Sequence, residues 1–209
     1  MANFGPMPDT DISSMKDFFR IQFSDAYPLL ADLETDWEIN PTSSLVTVKC
    51  LPWYENKTLL IGDAAHAIVP FYGQGMNCGF EDCRVLNDTL NQFDDDWDRL
   101  MPAFQTNRKP DADAIADLAL QNFIEMRDLV GNEEFLLRKK IEAKIQSLFP
   151  DKWTPLYSMV TFNESIRYSE ALEFGEKQAR IMDEVMARKG IENNWESLDY
   201  QGLVDKLSV

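Results

Sequence analysis

GDAAHAIVPFYGQGMNCGFEDC, residues 62–83, holds four of the nine glycines of this 209-residue chain and its only histidine. The run TLLIG, residues 58–62, leads into it and predicts a buried strand, because it is short, apolar and followed by aspartate. Beyond the glycines, apolar residues recur at three- and four-residue steps and predict a helix that begins near Asn77. The positions of this stripe are Met76, Phe80, Cys83, Leu86, Leu90 and Phe93. Residues 62–83 therefore connect a predicted strand to a predicted helix.

This predicted turn has the composition of a ligand site. Asp63 follows a strand end, where ligands bind in α/β folds, and its carboxylate can accept hydrogen bonds from a sugar or ribityl hydroxyl. Gly73 and Gly75 have no Cβ, so the backbone there can approach a planar ligand closely. The N–H groups at the start of the following helix favour a ligand that acquires negative charge, such as a reduced flavin. An ordinary strand-to-helix turn, in which the glycines satisfy positive φ, explains the same spacing.

The composition of the chain argues against several classes of function. With 44% hydrophobic and 27% charged residues and no unbroken apolar run of roughly 18 residues, the chain predicts a globular protein without a membrane span. A formal net charge of −16 argues against nucleic acid as a partner. Three cysteines and one histidine lack the spacing of a zinc site, which predicts no metal and reduced thiols in an intracellular protein. We expect His66 to be a hydrogen-bonded loop residue, since no nucleophile elbow accompanies it.

Patterns elsewhere predict a mostly helical chain. SLVTVKC, residues 44–50, alternates like a half-buried strand, and residues 52–57 are predicted to form the turn that leads to TLLIG. Helices are predicted between residues 13 and 33, from Pro110 to Gly131, over residues 133–148 and over residues 165–189, before a polar tail that is expected to fray. The inward positions predicted for the helix over residues 133–148 are Leu137, Ile141, Ile145 and Leu148.

Two polar residues, Asn122 and Glu125, fall on the apolar stripe of the helix predicted after Pro110. An unpaired polar group on a buried face costs roughly 1–3 kcal/mol, so both side chains are expected to have partners. The backbone, the other polar residue of the pair and a bound ligand all satisfy this requirement. The pattern alone does not decide between them.

Residues 62–83 resemble the second flavin-binding motif of the class A FAD-dependent aromatic hydroxylases, and within that family they are most similar to the kynurenine 3-monooxygenases. Three further segments resemble that branch in the same order. They are SLVTVKC at residues 44–50, NFIEMRDLV at residues 122–130 and PLYSMVTF at residues 155–162. Together with the motif they extend over most of residues 40–168.

The resemblance implies an α+β fold: a partial FAD-binding domain with few strands, followed by a helical substrate cap. The implied divisions are residues 1–48 as a remnant of the substrate-domain region, 49–105 as the C-terminal part of the FAD-binding domain, 106–189 as the substrate cap and 190–209 as a polar tail. The implied reaction is hydroxylation of L-kynurenine to 3-hydroxykynurenine with FAD, NADPH and O₂. The cofactor supplies the chemistry, so the resemblance implies no catalytic side chain in the strict sense.

The resemblance also implies the residues of two sites. The implied cofactor-binding residues are Gly62, Asp63, Pro70, Gly73, Gly75, Met76 and Asn77. The implied substrate-binding residues are Asn122 and Tyr157, with Phe71, Tyr72, Glu125 and Met126 as the pocket wall. For Tyr157 an ordinary core tyrosine with a satisfied hydroxyl remains the alternative.

The sequence departs from the family pattern in two places. The GxGxxG unit that binds the ADP half of FAD is not found, and the one GxG is Gly73-Gln74-Gly75. The resemblance thus covers a C-terminal half, whose partner would be the N-terminal half of the same enzyme. Animal members of the family end in an apolar anchor for the outer mitochondrial membrane, whereas residues 190–209 are polar and predict no span. A sister hydroxylase with another substrate, and a non-catalytic remnant that binds neither flavin nor substrate, are the alternatives.

Overall fold

The computed structural model describes residues 12–40 and 44–208. The chain divides into two compact units, and the boundary between them falls between Leu45 and Val46. Within the described residues, no helix is both long and apolar enough to cross a membrane.

The described part of the first unit contains two helices, α1 (Ile12–Gln22) and α2 (Leu33–Ile39), with a 3₁₀ turn at Tyr27–Leu29 between them. Rings pack along and between the helices, with Phe19 centred 5.6 Å from Phe23 and 6.3 Å from Trp37. An ion pair between Lys16 and Glu34 also joins α1 to α2. The helix predicted between residues 13 and 33 is confirmed as α1.

The second unit begins with a two-stranded antiparallel hairpin, β1 (Tyr54–Glu55) and β2 (Thr58–Leu59), and is otherwise helical. Its helices are α3 (Asp63–His66), α4 (Gly75–Phe93), α5 (Trp97–Ile124), α6 (Glu133–Leu148), α7 (Leu156–Phe162), α8 (Tyr168–Met186), α9 (Ile191–Asn194) and α10 (Tyr200–Asp205). A π-helical segment, Glu125–Leu129, extends α5. This mostly helical fold with a small sheet confirms the expected α+β class.

The long helix α5 lies against both α4 and α8 and organises the second unit. It starts at Trp97, where the Asp96 side chain accepts a hydrogen bond from the N–H of Arg99, and not after Pro110 as predicted. Pro110 is tolerated inside the helix because Thr106, whose carbonyl loses its helical partner there, is exposed to solvent. The proposed boundary between residues 105 and 106 falls inside α5, so it does not coincide with a division between compact units.

The strand predictions before the glycine turn are largely wrong. Residues 44–50 carry no strand pairing, and their apolar side chains Val46 and Val48 are exposed. Only Thr58 and Leu59 of TLLIG are paired, and their partners are residues of the predicted turn. Leu59 and Leu60 pack against a core that contains Phe104 of α5, whereas Ile61, beyond the paired residues, is 37% exposed instead of buried.

The C-terminal tail is folded, which corrects the expectation that it frays. Residues of α9 and α10 are buried against α6, α8 and Trp153. Those tail residues are Ile191, Tyr200, Leu203 and Val204. The many charges between these few apolar positions lower the mean hydropathy and hide the pattern. Ile141 and Ile145 of α6 are buried as predicted and Leu137 is half-buried, whereas Leu148 is 46% exposed.

Helix α4 buries a different face from the one its apolar stripe predicts. Met76 and Phe80 are 72% and 66% exposed, and Cys83 is exposed as well. The buried residues are Cys78, Asp82, Val85 and Thr89. A hydropathy pattern assigns an aspartate to solvent, but Asp82 is buried because the side chains around it neutralise its charge.

Candidate cofactor and substrate sites

The cofactor turn, residues 62–77, has two positions whose backbone requires glycine. Gly62 adopts φ 57° and ψ −143°, and Gly73 adopts φ 67° in the left-handed region. Side chains with a Cβ rarely adopt either conformation. Gly62 caps α3, which places Asp63 at the first helical position with its side chain exposed.

The start of α4 is open on the side of its first residues. A Cβ placed on Gly75 would meet no described atom within 4 Å, so packing within this chain does not demand glycine there. Buried Gln74 accepts hydrogen bonds from the Asn77 amide at 2.9 Å and from the Tyr168 hydroxyl at 3.1 Å, which holds the helix start in place. Met76 is exposed beside it. An exposed carboxylate at Asp63 and an accessible helix N-terminus fit a ligand with hydroxyl groups and a ring that acquires negative charge.

Four of the six predicted substrate residues line one cleft of about 580 Å³. They are Tyr72, Asn122, Glu125 and Tyr157. The Tyr72 and Tyr157 rings stack with centroids 5.5 Å apart, and Tyr157 is half exposed, so it is not a fully enclosed core residue. Burial, helped by the Glu125 carboxylate, raises the pKa of Tyr72 to about 12, so its hydroxyl stays protonated.

The other two predicted substrate residues, Phe71 and Met126, do not line this cleft but contact Asn122, which does. The carbonyl of Phe71 accepts a 2.7 Å hydrogen bond from the Asn122 amide, and the Phe71 ring lies 4.4 Å from that of Phe123. Met126 is 53% exposed and its sulfur lies 3.7 Å from the same amide nitrogen. Asn122 therefore has a backbone partner, which is one of the arrangements its position allowed.

Ion pairs also line the cleft. Lys139 of α6 lies 3.5 Å from Glu125 and 3.4 Å from Glu142. Arg138 pairs with Asp183 of α8 at 2.6 Å. Glu125 thus has the partner expected of a polar residue on this face, and the cleft is lined by both aromatic and charged side chains.

A buried network of charges beside the cofactor turn escaped the sequence interpretation. The Asp82 carboxylate, fully buried, accepts hydrogen bonds from the Gly62 N–H at 2.9 Å, from His66 Nε2 at 2.6 Å and from Arg108 Nε at 2.9 Å. Arg108 is also buried and reaches Glu81 at 3.1 Å. The sequence contains one weak signal of the burial of Asp82: it lies three and four residues from other buried residues of α4 and so is on the same face of the helix.

The network continues through Arg108 to the start of α8. Arg108 contacts Asp111 at 3.3 Å, and Asp111 accepts hydrogen bonds from Arg167 at 2.9 Å and from the Ser169 hydroxyl at 2.6 Å. Burial alone would raise the pKa of Asp111, but Arg167 and Ser169 outweigh it and lower that pKa. Ionised carboxylates and guanidinium groups therefore join α4, α5 and α8.

His66 is hydrogen-bonded, as predicted, but it is buried and lies in α3 and not in a loop. Burial would lower its pKa, whereas hydrogen bonds to Asp82 and to the Cys78 thiol raise it, with a net rise to about 9. His66, Cys78 and Asp82 come close enough to ligate a metal ion. However, the Arg108 guanidinium already reaches Asp82 and lies 3.4 Å from the Cys78 sulfur, so a cation already occupies this position.

Comparison with known proteins identifies a class of proteins that this chain resembles. Residues 35–119, which contain the cofactor turn, match the FAD binding domain family. The chain is also similar to curated kynurenine 3-monooxygenases. It is 53% identical to that of Christiangramia forsetii over 185 residues, which are 88% of this chain and 41% of the relative.

Two further relatives extend the similarity across bacteria and animals. The kynurenine 3-monooxygenase of Flavobacterium johnsoniae is 50% identical over 199 residues, 95% of this chain and 44% of the relative. That of Anopheles gambiae is 46% identical over 180 residues, 85% of this chain and 37% of the relative. The resemblance seen in the motifs is confirmed, and the chain spans about two fifths of the length of these relatives.

Proposed function

We propose that this chain is the C-terminal portion of a FAD-dependent monooxygenase that hydroxylates L-kynurenine to 3-hydroxykynurenine with NADPH and O₂. One observation carries the proposal beyond the similarity: a single short segment serves both candidate sites. The 3₁₀ turn Pro70–Tyr72 precedes the open start of α4, and its Tyr72 lines the cleft. A ring in the cleft and a flavin at the start of α4 would be neighbours.

The proposed cofactor residues bind and orient FAD. Asp63 accepts hydrogen bonds from ribityl hydroxyls, and the N–H groups at Gly75 and Asn77, at the positive end of the α4 dipole, stabilise negative charge on the flavin ring. Gly62, Pro70, Gly73 and Met76 shape the backbone and surface between them. FAD, reduced by NADPH, supplies the oxygen transfer to the substrate.

The proposed substrate residues hold the kynurenine ring and exclude water from it. Tyr72 and Tyr157 provide a stacked aromatic pair at the cleft, and Asn122 and Glu125 supply polar groups beside it. Phe71 and Met126 hold the Asn122 amide. Because the pKa of Tyr72 is raised to about 12, its hydroxyl can donate a hydrogen bond throughout the physiological range.

The proposed partner is the N-terminal half of the same enzyme, which relatives more than twice as long as the matched region would contain. The outer face of α4, formed by Met76, Phe80 and Cys83, exposes apolar side chains next to the cofactor turn. Ile61 and the unpaired residues 44–50 add further exposed apolar groups. A second layer there would bury them and complete the FAD site. The intracellular location inferred from the cysteines stays a prediction, and attachment to mitochondria receives no support.

Complementation tests the proposal. We expect the chain alone to bind FAD weakly, and co-purification with the N-terminal portion of the Christiangramia forsetii relative to restore visible flavin absorbance and 3-hydroxykynurenine formation. Asp63→Ala in the complex should weaken FAD binding by roughly 1–3 kcal/mol, the scale of a lost charge-assisted hydrogen bond. Flavin binding without kynurenine turnover would favour a sister hydroxylase. A folded complex that binds no flavin would favour the non-catalytic remnant.

A further inference from the structure

Asp82 is a buried carboxylate beside the cofactor turn. Its side chain is fully buried and accepts hydrogen bonds from Gly62, His66 and Arg108, which lie on three different segments. Removing an ionised carboxylate from water is costly unless charges and hydrogen bonds replace the solvent. His66 and Arg108 supply the charge, which leaves the backbone N–H of Gly62 as the third donor.

Gly62, which provides this third donor, also determines where Asp63 lies. Gly62 has a backbone conformation reserved for glycine. Its carbonyl accepts hydrogen bonds from the N–H groups of Ala65 and His66, which form the first turn of α3. The body of α4 passes close to the same residue, since a Cβ built on Gly79 would lie 3.9 Å from the Gly62 Cα. The turn before Asp63 is therefore attached to α4 by the hydrogen bond to Asp82 and lies close to the helix backbone at Gly79.

We infer that Asp82 is a positioning residue for the cofactor: by holding Gly62 it fixes Asp63 relative to the open start of α4. Helix α4 carries both Asp82 and the residues Gly75–Asn77, so one rigid element aligns the two halves of the proposed FAD site. His66 and Arg108 act through Asp82, by keeping its carboxylate ionised and oriented. Supporting residues of this kind determine how accurately a binding site is pre-organised. The inference rests on the proposed function, because that function identifies FAD as the ligand of this site.

The first test needs no cofactor. Amide hydrogen exchange of Gly62 and Asp63 is measured in the chain as purified, for the wild type and for Asp82→Asn. Asparagine keeps the shape but presents an N–H₂ group to the His66 and Arg108 donors. We expect the Gly62 amide to exchange at least tenfold faster in Asp82→Asn. Asp88→Asn is the matched control, since Asp88 is exposed on the same helix and contacts Arg84 at 3.2 Å. In the Asp88→Asn variant the Gly62 amide should exchange as in the wild type.

The second test measures FAD affinity in the complemented protein, with the thermal stability of each variant measured in parallel. Asp82→Asn should raise the FAD dissociation constant tenfold or more. Ile145→Ala, which opens the separate core between α6 and α8, controls for general destabilisation and should leave FAD affinity within twofold. Equal FAD affinity in Asp82→Asn and Ile145→Ala at equal stability would overturn the inference. A wild-type complex that binds no FAD would instead overturn the proposed function, while amide exchange would still decide the role of Asp82.

Discussion

At the scale of single residues, the second unit depends on a charged group in each of three helices. Asp82 of α4, Arg108 of α5 and Asp111, one turn further along α5, are all buried, and His66 of α3 completes the set. Each buried charge has an opposite charge within hydrogen-bond distance, which is the condition under which burial is tolerated. Removing one member leaves its partner unpaired and should cost more than an exposed ion pair would.

The first prediction concerns the pH dependence of stability. The pKa of His66 is raised from its usual 6.5 to about 9, so protonated His66 stabilises the fold fully below about pH 6.5, and this contribution is lost as pH rises through 9. The groups that face the ring are Asp82 and Cys78 of α4 and the Trp53 ring, with Arg108 on the far side of Asp82. We expect the free energy of unfolding to fall by on the order of 2–3 kcal/mol over this range.

Denaturant titration of the chain between pH 6 and 10 measures this loss, and His66→Gln is the comparison. The variant should be less stable than the wild type at about pH 6 and should lack most of the alkaline decline. Parallel pH curves for the two proteins would show that His66 is neutral in the folded state.

The second prediction concerns the proposed substrate residues. Asn122→Ala removes the amide that holds the Phe71 carbonyl, and Tyr157→Phe removes a hydroxyl at the cleft while keeping the stack on Tyr72. Each lost neutral hydrogen bond costs roughly 0.5–1.5 kcal/mol, so the KM for kynurenine should rise several-fold in the complemented enzyme. A less well-placed ring should also increase the hydrogen peroxide released per NADPH oxidised.

FAD content should stay unchanged in both variants, and Gln121→Ala, an exposed neighbour on α5, is the control for changes to the helix surface. Wild-type KM and peroxide yield in both variants would assign Asn122 and Tyr157 to packing. The substrate would then have to be sought among other aromatic compounds.

At the scale of elements, α4 shows that sequence periodicity predicts the presence of a helix but not which of its faces is buried. The three- and four-residue spacing predicted a helix with stripe positions up to Phe93, and α4 spans Gly75–Phe93. Its buried face was predicted wrongly, because hydropathy assigns Asp82 to solvent and Phe80 to the core. Similarly, α6 and α8 were predicted close to their observed bounds, while the start of α5 was missed because Pro110 was taken as the beginning of the helix and lies inside it.

The third prediction compares two glycines of the cofactor turn that serve different purposes. Gly73 has φ 67°, so Gly73→Ala should destabilise the chain by roughly 1–2 kcal/mol through backbone strain. Gly75 lies at the first position of α4 and a Cβ there meets open space, so Gly75→Ala should leave stability unchanged or raise it by up to about 1 kcal/mol. In the complemented protein, however, Gly75→Ala should weaken FAD binding, because its methyl group projects into the open side of the helix start.

Unfolding of the chain alone and FAD titration of the complex separate these two effects. Unchanged FAD affinity in Gly75→Ala would show that the flavin does not approach the start of α4. An unstrained Gly73→Ala would show that the left-handed conformation is not needed.

At the scale of the whole molecule, the second unit exposes apolar side chains on the outer face of α4 and at Ile61. Met76, Phe80 and Ile61 are 72%, 66% and 37% exposed, although each belongs to a segment whose pattern predicts burial. Exposed apolar patches mark sites of contact with another protein layer. The relatives, of which the chain spans about two fifths, identify the expected source of that layer.

The fourth prediction tests this surface. Phe80→Asp should change the free energy of unfolding of the chain by less than about 0.5 kcal/mol, because Phe80 is 66% exposed. It should nevertheless reduce association with the N-terminal portion of a relative by at least tenfold, as measured by co-purification or titration. Leu120→Asp, at an exposed position of α5, is the matched control. Equal association by both variants would place the interface elsewhere.

The sequence by itself determined the cofactor turn, the main helices and the family resemblance, because these depend on local features: glycine placement, helical spacing and short motifs. It also predicted that Asn122 and Glu125 would have partners, though not which ones. Only the tertiary structure decided which face of α4 is buried, that the tail packs on α6 and α8, and that Asp82 holds Gly62. The tail packs through apolar side chains that contact α6 and α8 only in the folded chain. The burial of Asp82 depends on Gly62 and Arg108, which are 20 and 26 residues away in the sequence and compensate its charge only when the segments meet. A pattern read along one segment contains no information about such compensation.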